Sequence, residues 1–348
     1  MRSRGEGSEC GERWEETAEL EDAAELKEQT MEMEKTGQYV GRLAPSPTGA
    51  LHLGNVRTFM IAYLRARSLG GRLIMRMEDL DHPRDKPGAA AAAIEDLKWL
   101  GFDWDEEYIQ SERKDFYRAA LERLRSLKSD GGGELIYPCI CTRRDVENAQ
   151  SAPHSGEQLF YPGTCRGKFP SWQTALSAKG GIAPCWRFRA EGCANVAFDD
   201  VFAGRVEQDV AKTLGDFPVA RDEFGAGYTL AVTVDDAAMG VSEVVRGDDL
   251  LAATPAQILL QRALGLPTPD YCHVPLVVGG DGRRLAKRHG DTRIAACRAA
   301  GVAPDAIIGR LAASCRWCKE GERITLRGLL DRFDMQTIPK EPFCIGTI

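Results

Sequence analysis

The sequence lacks the features of membrane and secreted proteins. No apolar run in its 348 residues comes near the roughly 18 residues that a membrane-spanning helix needs. The N-terminal residues have neither the apolar stretch of a signal peptide nor the acid-poor composition of a transit peptide. Apolar residues make up 43% and charged residues 28% of the chain, as in ordinary globular proteins. We therefore expect a cytoplasmic protein with no membrane partner.

Excess charge is confined to one end of the chain. Residues 1–38 hold twelve acidic and five basic side chains, whereas the rest of the chain holds forty of each sign. A balanced total does not exclude a nucleic-acid partner, because binding depends on where Lys and Arg cluster. The acidic segment has good helix formers but few large apolar residues, so we expect a disordered N-terminal extension.

Apolar runs alternate with helix-period segments along the remaining chain. Strands are predicted over "YVGRLA" (39–44), "RLIMRM" (72–77), "YTLAVTV" (228–234), "VSEVV" (241–245) and "HVPLVV" (273–278). Helices are predicted from His52 to Gly70, over "GAAAAAIEDLKWLG", over "SERKDFYRAALERLRSLKSD" and over "TPAQILLQRALG". This alternation predicts an α/β fold with a parallel sheet.

Cysteines cluster in a segment with little periodic structure. Residues 136–185 are rich in Cys, Pro, Gly and Ser, so we expect an insert that something else must order. Cys139, Cys141 and Cys165 are suited to a small zinc site, and ligand chemistry alone favours His154 as the fourth ligand. The alternative is three buried free thiols.

Two loops could bind phosphate groups. "GRLAPSPTGALHLGN" (41–55) leads from a strand into a helix, whose N-terminal N–H groups attract anions. "DGRRLAKRHGDT" (281–292) carries basic residues between glycines and could cover phosphates. Either loop alone is more often a plain turn or a solvated run of charge, so their combination carries the argument.

The combination resembles the class I aminoacyl-tRNA synthetases. "HLGN" (52–55) and "RLAK" (284–287) are similar to the "HIGH" and "KMSKS" signatures of that family. "MRMEDLD" and "YTLAVTVDDAAMGVSEVVRGDDLLAATPAQILL" also occur in the order of the glutamyl-tRNA synthetase branch, over about residues 39–291. The resemblance implies a Rossmann-like catalytic core that uses ATP and Mg²⁺ to convert glutamate into glutamyl-adenylate and pyrophosphate.

The resemblance also implies a division of the chain. The nucleotide-binding domain would comprise residues 39–135 and 186–291, with the zinc-binding insert at 136–185 between its halves. A short helical C-terminal region would follow at 292–348. The 57 residues after Asp291 are fewer than an anticodon-binding domain requires, so we expect none.

The same motifs imply roles for single residues. His52 and Lys287 would be catalytic, with His52 steadying the ATP phosphates and Lys287 neutralising the departing pyrophosphate. Gly54 and Asn55 would join them in the ATP site. The glutamate site would be lined by Arg42, Ala44, Ser46, Glu78, Tyr228 and Arg246.

Charge suggests how glutamate would be held. We assign Glu78 to the ammonium group, and Arg42, Arg246 and Tyr228 to the carboxylates. Which arginine takes the side-chain carboxylate stays open.

The loop signature departs from the family at two positions. Arg284 stands for the first Lys and Ala286 for the Ser, so contacts with phosphate from those positions are expected to be altered or absent. Lys287 is retained.

The insert resembles that of the glutamyl-Q tRNA(Asp) synthetases, which carry C-x-C followed by Y-x-x-x-C. This resemblance implies one structural zinc ion bound by Cys139, Cys141, Tyr161 and Cys165, with Tyr161 in the place that ligand chemistry gives to His154.

The tail "TIPKEPF" resembles the same family, truncated paralogues of glutamyl-tRNA synthetase. Their activity would be tRNA-independent activation of glutamate and its transfer to queuosine in the anticodon loop of tRNA(Asp), and we expect a monomer. One alternative is a shortened glutamyl-tRNA synthetase that charges the acceptor end. The other is an inactive RNA-binding paralogue, which the changes at Arg284 and Ala286 favour.

Overall fold

The structure is a computed structural model that describes most of the chain after the acidic extension. It covers residues 37–80, 86–129, 131–149, 160–180, 183–193, 195–282, 285 and 292–345. The predictions on disorder in the extension, on His154 and on Arg284, Ala286 and Lys287 lie outside the described residues.

Helices and strands alternate through the described chain. Helices α1 to α10 are Leu53–Ser68, Ala89–Trp99, Lys114–Ser126, Arg143–Ala149, Trp172–Ala178, Val210–Thr213, Tyr228–Ala238, Thr254–Leu264, Ile294–Ala299 and Pro304–Ser314. Strands β1 to β12 are Val40–Leu43, Arg72–Met77, Glu106–Ile109, Ile136–Cys139, Cys185–Phe188, Val196–Asp200, Gly204–Gln208, Phe217–Ala220, Glu243–Gly247, Asp270–Val274, Val277–Val278 and Phe343–Cys344. Short 3-10 helices cover Gln110–Glu112, Asp248–Ala253, Arg327–Arg332 and Met335–Thr337.

Two of the sheets are built mainly on parallel strands, as the alternation predicted. β1, β2 and β3 form one parallel sheet, and β9, β10 and β6 form another, to which β7 adds an antiparallel edge. The two sheets meet at β1 and β9, where the Ser242 backbone N–H donates to the Val40 carbonyl at 2.9 Å. The strand order 3-2-1-9-10 reverses direction at this junction, which is where open α/β sheets bind ligands.

One predicted strand is wrong. "YTLAVTV" forms the start of helix α7, not a strand. Every residue from Leu230 to Ala237 is buried, so the segment has an apolar run without the one-sided pattern of a surface helix. Periodicity cannot separate such a helix from a buried strand, and the β-branched residues favoured the wrong choice. "HVPLVV" is divided at Pro275 into β10 and β11, since proline lacks the N–H that a ladder needs.

The cysteine-rich segment has more regular structure than its composition predicted. It contains β4, α4 and α5, and β4 forms an antiparallel sheet with β5, which begins at Cys185, and with β8, which lies further along the chain, in the order β4-β5-β8. Stacked aromatic pairs pack there, with ring centroids 5.1 Å apart for Trp172 and Trp186 and 5.0 Å apart for Phe188 and Phe217. Contacts between aromatic side chains from different elements therefore stabilise this structure, and the local periodicity of the sequence does not predict such contacts.

The C-terminal region is helical as predicted and ends in a strand. α9 and α10 pack into the same core as α1, and β12 pairs in parallel with β11. No helix in the described ranges is both long enough and apolar enough to cross a membrane.

Candidate active site

His52 begins helix α1 and is held by the helix itself. Its Nδ1 accepts the backbone N–H groups of Gly54 at 3.1 Å and Asn55 at 3.3 Å, and the Asn55 side chain accepts the His52 N–H at 3.2 Å. Because Nδ1 accepts, a neutral ring carries its proton on Nε2. A Cβ on residue 54 would lie 3.0 Å from the ring, so glycine permits this close contact.

The chain that follows the basic loop pairs with this helix start. The Leu53 N–H donates to the Thr292 carbonyl at 3.0 Å, and the Ile294 N–H donates to the Leu51 carbonyl at 2.9 Å. His52 and Arg293 form an antiparallel bridge between these bonds. The structure therefore brings the end of the 281–292 loop against the residues that start α1.

The neighbouring site contains a buried arginine that was not predicted from the sequence and that pairs with its acidic side chains. Arg76 on β2 donates to Asp236 at 2.6 Å and to Glu78 at 3.1 Å, and its side chain is fully buried. Burial disfavours the cation, but the charges of Asp236, Glu78 and Asp235 outweigh it and raise the pKa of Arg76. The i, i+2 spacing of Arg76 and Glu78 on one strand was the available sequence feature, because such residues share a face.

Glu78 lies beside the first loop. Its backbone N–H donates to the Pro45 carbonyl at 2.9 Å, which places Ala44 and Ser46 next to the end of β2. Burial raises the pKa of the Glu78 carboxyl, although Arg76 opposes the shift. A cationic group binding here would favour the ionised carboxylate.

Arg42 and Tyr228 face the same charges. The Arg42 guanidinium donates to the Val245 carbonyl at 2.8 Å and lies 3.8 Å from Asp236, while burial lowers its pKa. Tyr228 is 39% exposed as a whole residue, and desolvation followed by the charge of Glu78 raises the pKa of its hydroxyl. Arg42, Glu78 and Tyr228, all expected in the glutamate site, therefore lie close enough to influence one another's charge.

Arg246 on β9 completes the group. It donates from Nε to His273 at 3.0 Å and from Nη2 to Thr254 and Gln257, both at 2.8 Å. Its guanidinium carbon also lies 5.4 Å from the centre of the Tyr271 ring. Arg246 was predicted from its motif as a site residue, but its partners, which belong to α8 and β10, were not.

Three thiols in the insert form a possible metal site. The Sγ atoms of Cys139, Cys141 and Cys165 lie within 4.8 Å of one another, with 3.6 Å between Cys141 and Cys165. Sulfur ligands about 2.3 Å from a tetrahedral zinc ion are roughly 3.8 Å apart. The Tyr161 hydroxyl lies 3.2 Å from the Cys139 Sγ and 3.6 Å from the Cys141 Sγ. The residues present therefore fit a zinc ion.

Arg187 flanks these donors, which the sequence did not indicate. Its Nε donates to the Cys139 Sγ at 3.2 Å, and its guanidinium carbon lies 3.9 Å from the centre of the Tyr161 ring. A cation at this distance favours a thiolate over a thiol, as metal binding requires.

Known proteins resemble this chain over nearly all of its described length. The family described as tRNA synthetases class I (E and Q), catalytic domain, matches residues 38–342. Glutamyl-Q tRNA(Asp) synthetase of Symbiobacterium thermophilum is 47% identical over 313 residues, which cover 87% of this chain and 94% of the relative. Glutamate-tRNA ligase 1 of Halorhodospira halophila is 38% identical, covering 86% of this chain but 64% of the relative.

A solved structure shows the same architecture. Glutamate-tRNA synthetase from Elizabethkingia anophelis aligns with a TM-score of 0.74 and 26% identity, covering 88% of this chain and 68% of that one. The α/β fold is therefore shared with a longer chain.

Proposed function

Because the chain belongs to the class I tRNA synthetases for glutamate and glutamine, in which it is a glutamate-activating ligase, we propose that it needs no tRNA for that activation and transfers glutamate to queuosine in the anticodon loop of tRNA(Asp). The observation that carries the proposal is similarity, since the chain is 47% identical to the first of the two relatives named next and 38% identical to the second. The chain covers 94% of a relative named glutamyl-Q tRNA(Asp) synthetase and 64% of a glutamate-tRNA ligase.

The first step forms one bond and breaks another. A glutamate carboxylate oxygen attacks the α-phosphorus of ATP, the bond to the bridging oxygen breaks, and pyrophosphate leaves with its electron pair. Mg²⁺ would screen the phosphate charge when bound with ATP. We propose that His52 donates from Nε2 to a phosphate oxygen, beside the turn of Gly54 and Asn55, and that Lys287 neutralises the pyrophosphate.

The charges of the second site suit glutamate. Glu78 would hold the ammonium group, since burial raises the pKa of its carboxyl even beside Arg76 and a further cation would favour the ionised form. Arg42, Arg246 and the Tyr228 hydroxyl would hold the carboxylates. The residues proposed to line this site are Arg42, Ala44, Ser46, Glu78, Tyr228 and Arg246.

Pyrophosphate exchange tests the first half of the proposal. The protein, glutamate, ATP and labelled pyrophosphate are incubated without tRNA, and labelled ATP is expected to form. Absence of exchange that tRNA(Glu) restores would instead support a shortened glutamyl-tRNA synthetase. Absence of exchange under every condition, with tRNA still bound, would support an inactive RNA-binding paralogue.

Mass analysis of tRNA(Asp) tests the second half. Queuosine-containing tRNA(Asp) should gain the mass of one glutamate in its anticodon-loop fragment, and tRNA(Asp) with guanosine at that position should not. Glutamate found at the 3′ end would contradict the proposed acceptor.

We also propose that the insert holds one structural zinc ion through Cys139, Cys141, Tyr161 and Cys165. Tyr161→Phe keeps the ring but removes the oxygen ligand, so it should lower zinc affinity by about 10-fold or more, whereas His154→Ala should leave it unchanged. Competition with a chromogenic chelator measures both affinities. The reverse result would make His154 the ligand.

Removing the metal should also destabilise the insert, because the closed site contributes folding free energy. The melting temperature is expected to fall on chelation and to recover when zinc is added back.

A further inference from the structure

A chain of buried polar groups extends from Arg246 through His273 to Asp200. Asp200 lies at the end of β6, His273 lies on β10 and Arg246 lies on β9. The Arg246 Nε is 3.0 Å from the His273 Nε2, and the His273 Nδ1 is 2.6 Å from an Asp200 oxygen. All three residues are at most 5% exposed, so water cannot replace these contacts.

The arginine fixes the protonation of the imidazole. A guanidinium Nε–H only donates, so the His273 Nε2 must accept and cannot carry a proton. The proton of the neutral ring is therefore on Nδ1, from which it is donated to Asp200. Burial and the nearby Arg246 charge also lower the pKa of His273, although Asp200 opposes the shift, so the ring stays neutral.

Asp200 is itself held in place by the backbone. Its Oδ1 accepts the N–H groups of Phe202 at 3.0 Å, Ala203 at 2.7 Å and His273 at 3.1 Å. Its other oxygen is therefore aimed at the imidazole. The turn that joins β6 to β7 thus holds the Asp200 carboxylate, which in turn orients the His273 side chain on β10.

We propose that Asp200 and His273 are positioning residues that fix the guanidinium plane of Arg246 for one carboxylate of glutamate. Nε is taken by His273 and Nη2 by Thr254 and Gln257. Among the described contacts this leaves Nη1 as the donor for a ligand. A guanidinium held in advance loses little freedom on binding, which favours a ligand with a carboxylate at that one place. The inference rests on the proposed glutamate site.

Asp200→Asn tests the proposal with little change in shape. The Asn oxygen can keep the three backbone N–H groups, so the amide N–H₂ then faces the His273 Nδ1 and drives its proton to Nε2. Two donors would oppose each other at Arg246. We expect KM for glutamate in pyrophosphate exchange to rise about 10-fold, with kcat and KM for ATP changed less than about two-fold. Asp199→Asn is the matched control, since the Asp199 side chain is 77% exposed.

Two substitutions of His273 separate its two contacts. Gln places an oxygen near the position of Nε2 and can accept from the Arg246 Nε, whereas Asn places its amide near Nδ1 and leaves the Arg246 Nε without an acceptor. The rise in KM for glutamate should therefore be larger for His273→Asn than for His273→Gln. Equal rises in KM for glutamate and ATP would mean a general structural role and would overturn the proposal.

Nitrogen-15 spectra of the imidazole give a readout that needs no glutamate. The chain has five histidines, and the signal absent from His273→Gln identifies the one at issue. The wild type should show the Nδ1–H form and Asp200→Asn the Nε2–H form. An Nε2–H wild type would overturn the positioning role even if exchange is normal. Conversely, a wild type with the Nδ1–H form and no exchange with glutamate would count against the proposed function alone.

Discussion

Replacing Arg76 with methionine is expected to lower the free energy of unfolding by about 3–5 kcal/mol. The guanidinium is fully buried and is the cation that Asp236 and Glu78 share, with Asp235 at 3.9 Å. Methionine fills much of the volume but leaves the Glu78 carboxylate without its hydrogen-bonded cation and Asp236 with Arg42 alone, at 3.8 Å. Removing one member of a buried ion group costs far more than the group contributes as a whole, because the remaining charges cannot be rehydrated. Urea denaturation measures the change.

Arg72→Met provides the matched control on the same strand. Arg72 pairs with Glu106, but its side chain is 35% exposed, so water can replace the lost partner. We expect a change below about 1 kcal/mol. Equal losses for the two variants would show that burial does not determine the strength of the Arg76 group. Glutamate binding should also fall in Arg76→Met alone, since Glu78 loses the group that orients it.

Replacing His52 with asparagine is expected to reduce the rate of pyrophosphate exchange by about 10²–10³-fold with little change in stability. Asparagine is a favourable N-cap and can accept the N–H groups that the His52 Nδ1 now accepts. It has no counterpart to the Nε2–H that we assign to phosphate. The loss of rate should therefore appear in a protein that starts α1 normally. Exchange kinetics and thermal unfolding are measured on the same preparation.

His52→Ala removes the capping role and the phosphate-binding role of His52 together. Alanine removes both the cap and the donor, so the same loss of rate should come with about 0.5–2 kcal/mol of lost stability. If His52→Asn exchanges pyrophosphate at the wild-type rate, His52 caps the helix and does not contact ATP.

The sequence predicted the parts of the fold that depend on local pattern. "RLIMRM" matches β2 residue for residue, and "TPAQILLQRALG" matches α8, which ends at Gly265 with a left-handed φ of 68°. The boundaries of both elements can be predicted from the local sequence. β2 is a short buried run, and α8 has a helical period that is closed by a capping residue. The strand prediction for α7 was wrong because the environment of this segment, and not its sequence pattern, determines its structure. The helix is buried on all sides, so no exposed polar face reveals a helical period.

The candidate site divides in the same way. Arg42, Glu78 and Arg246 could be found through motifs, because each motif is contiguous. Asp200 and His273 are 73 residues apart and meet only because β6 and β10 are neighbours. Arg76 and Asp236 are 160 residues apart and belong to no shared pattern. Partners of this kind follow from strand order, which residue spacing does not encode.

The junction of β1 with β9 also has a consequence for synthesis of the chain. β1 is the first strand of the described chain, yet the Val40 and Ser242 groups that join the two sheets are 202 residues apart. At roughly 5–20 residues per second, the ribosome takes about 10–40 s to make the partner of β1 after β1 itself. During that interval the edge of β1 that later meets β9 has no neighbour and can pair with another chain. Chaperones that act during translation should therefore affect the yield of this protein more than those that act afterwards.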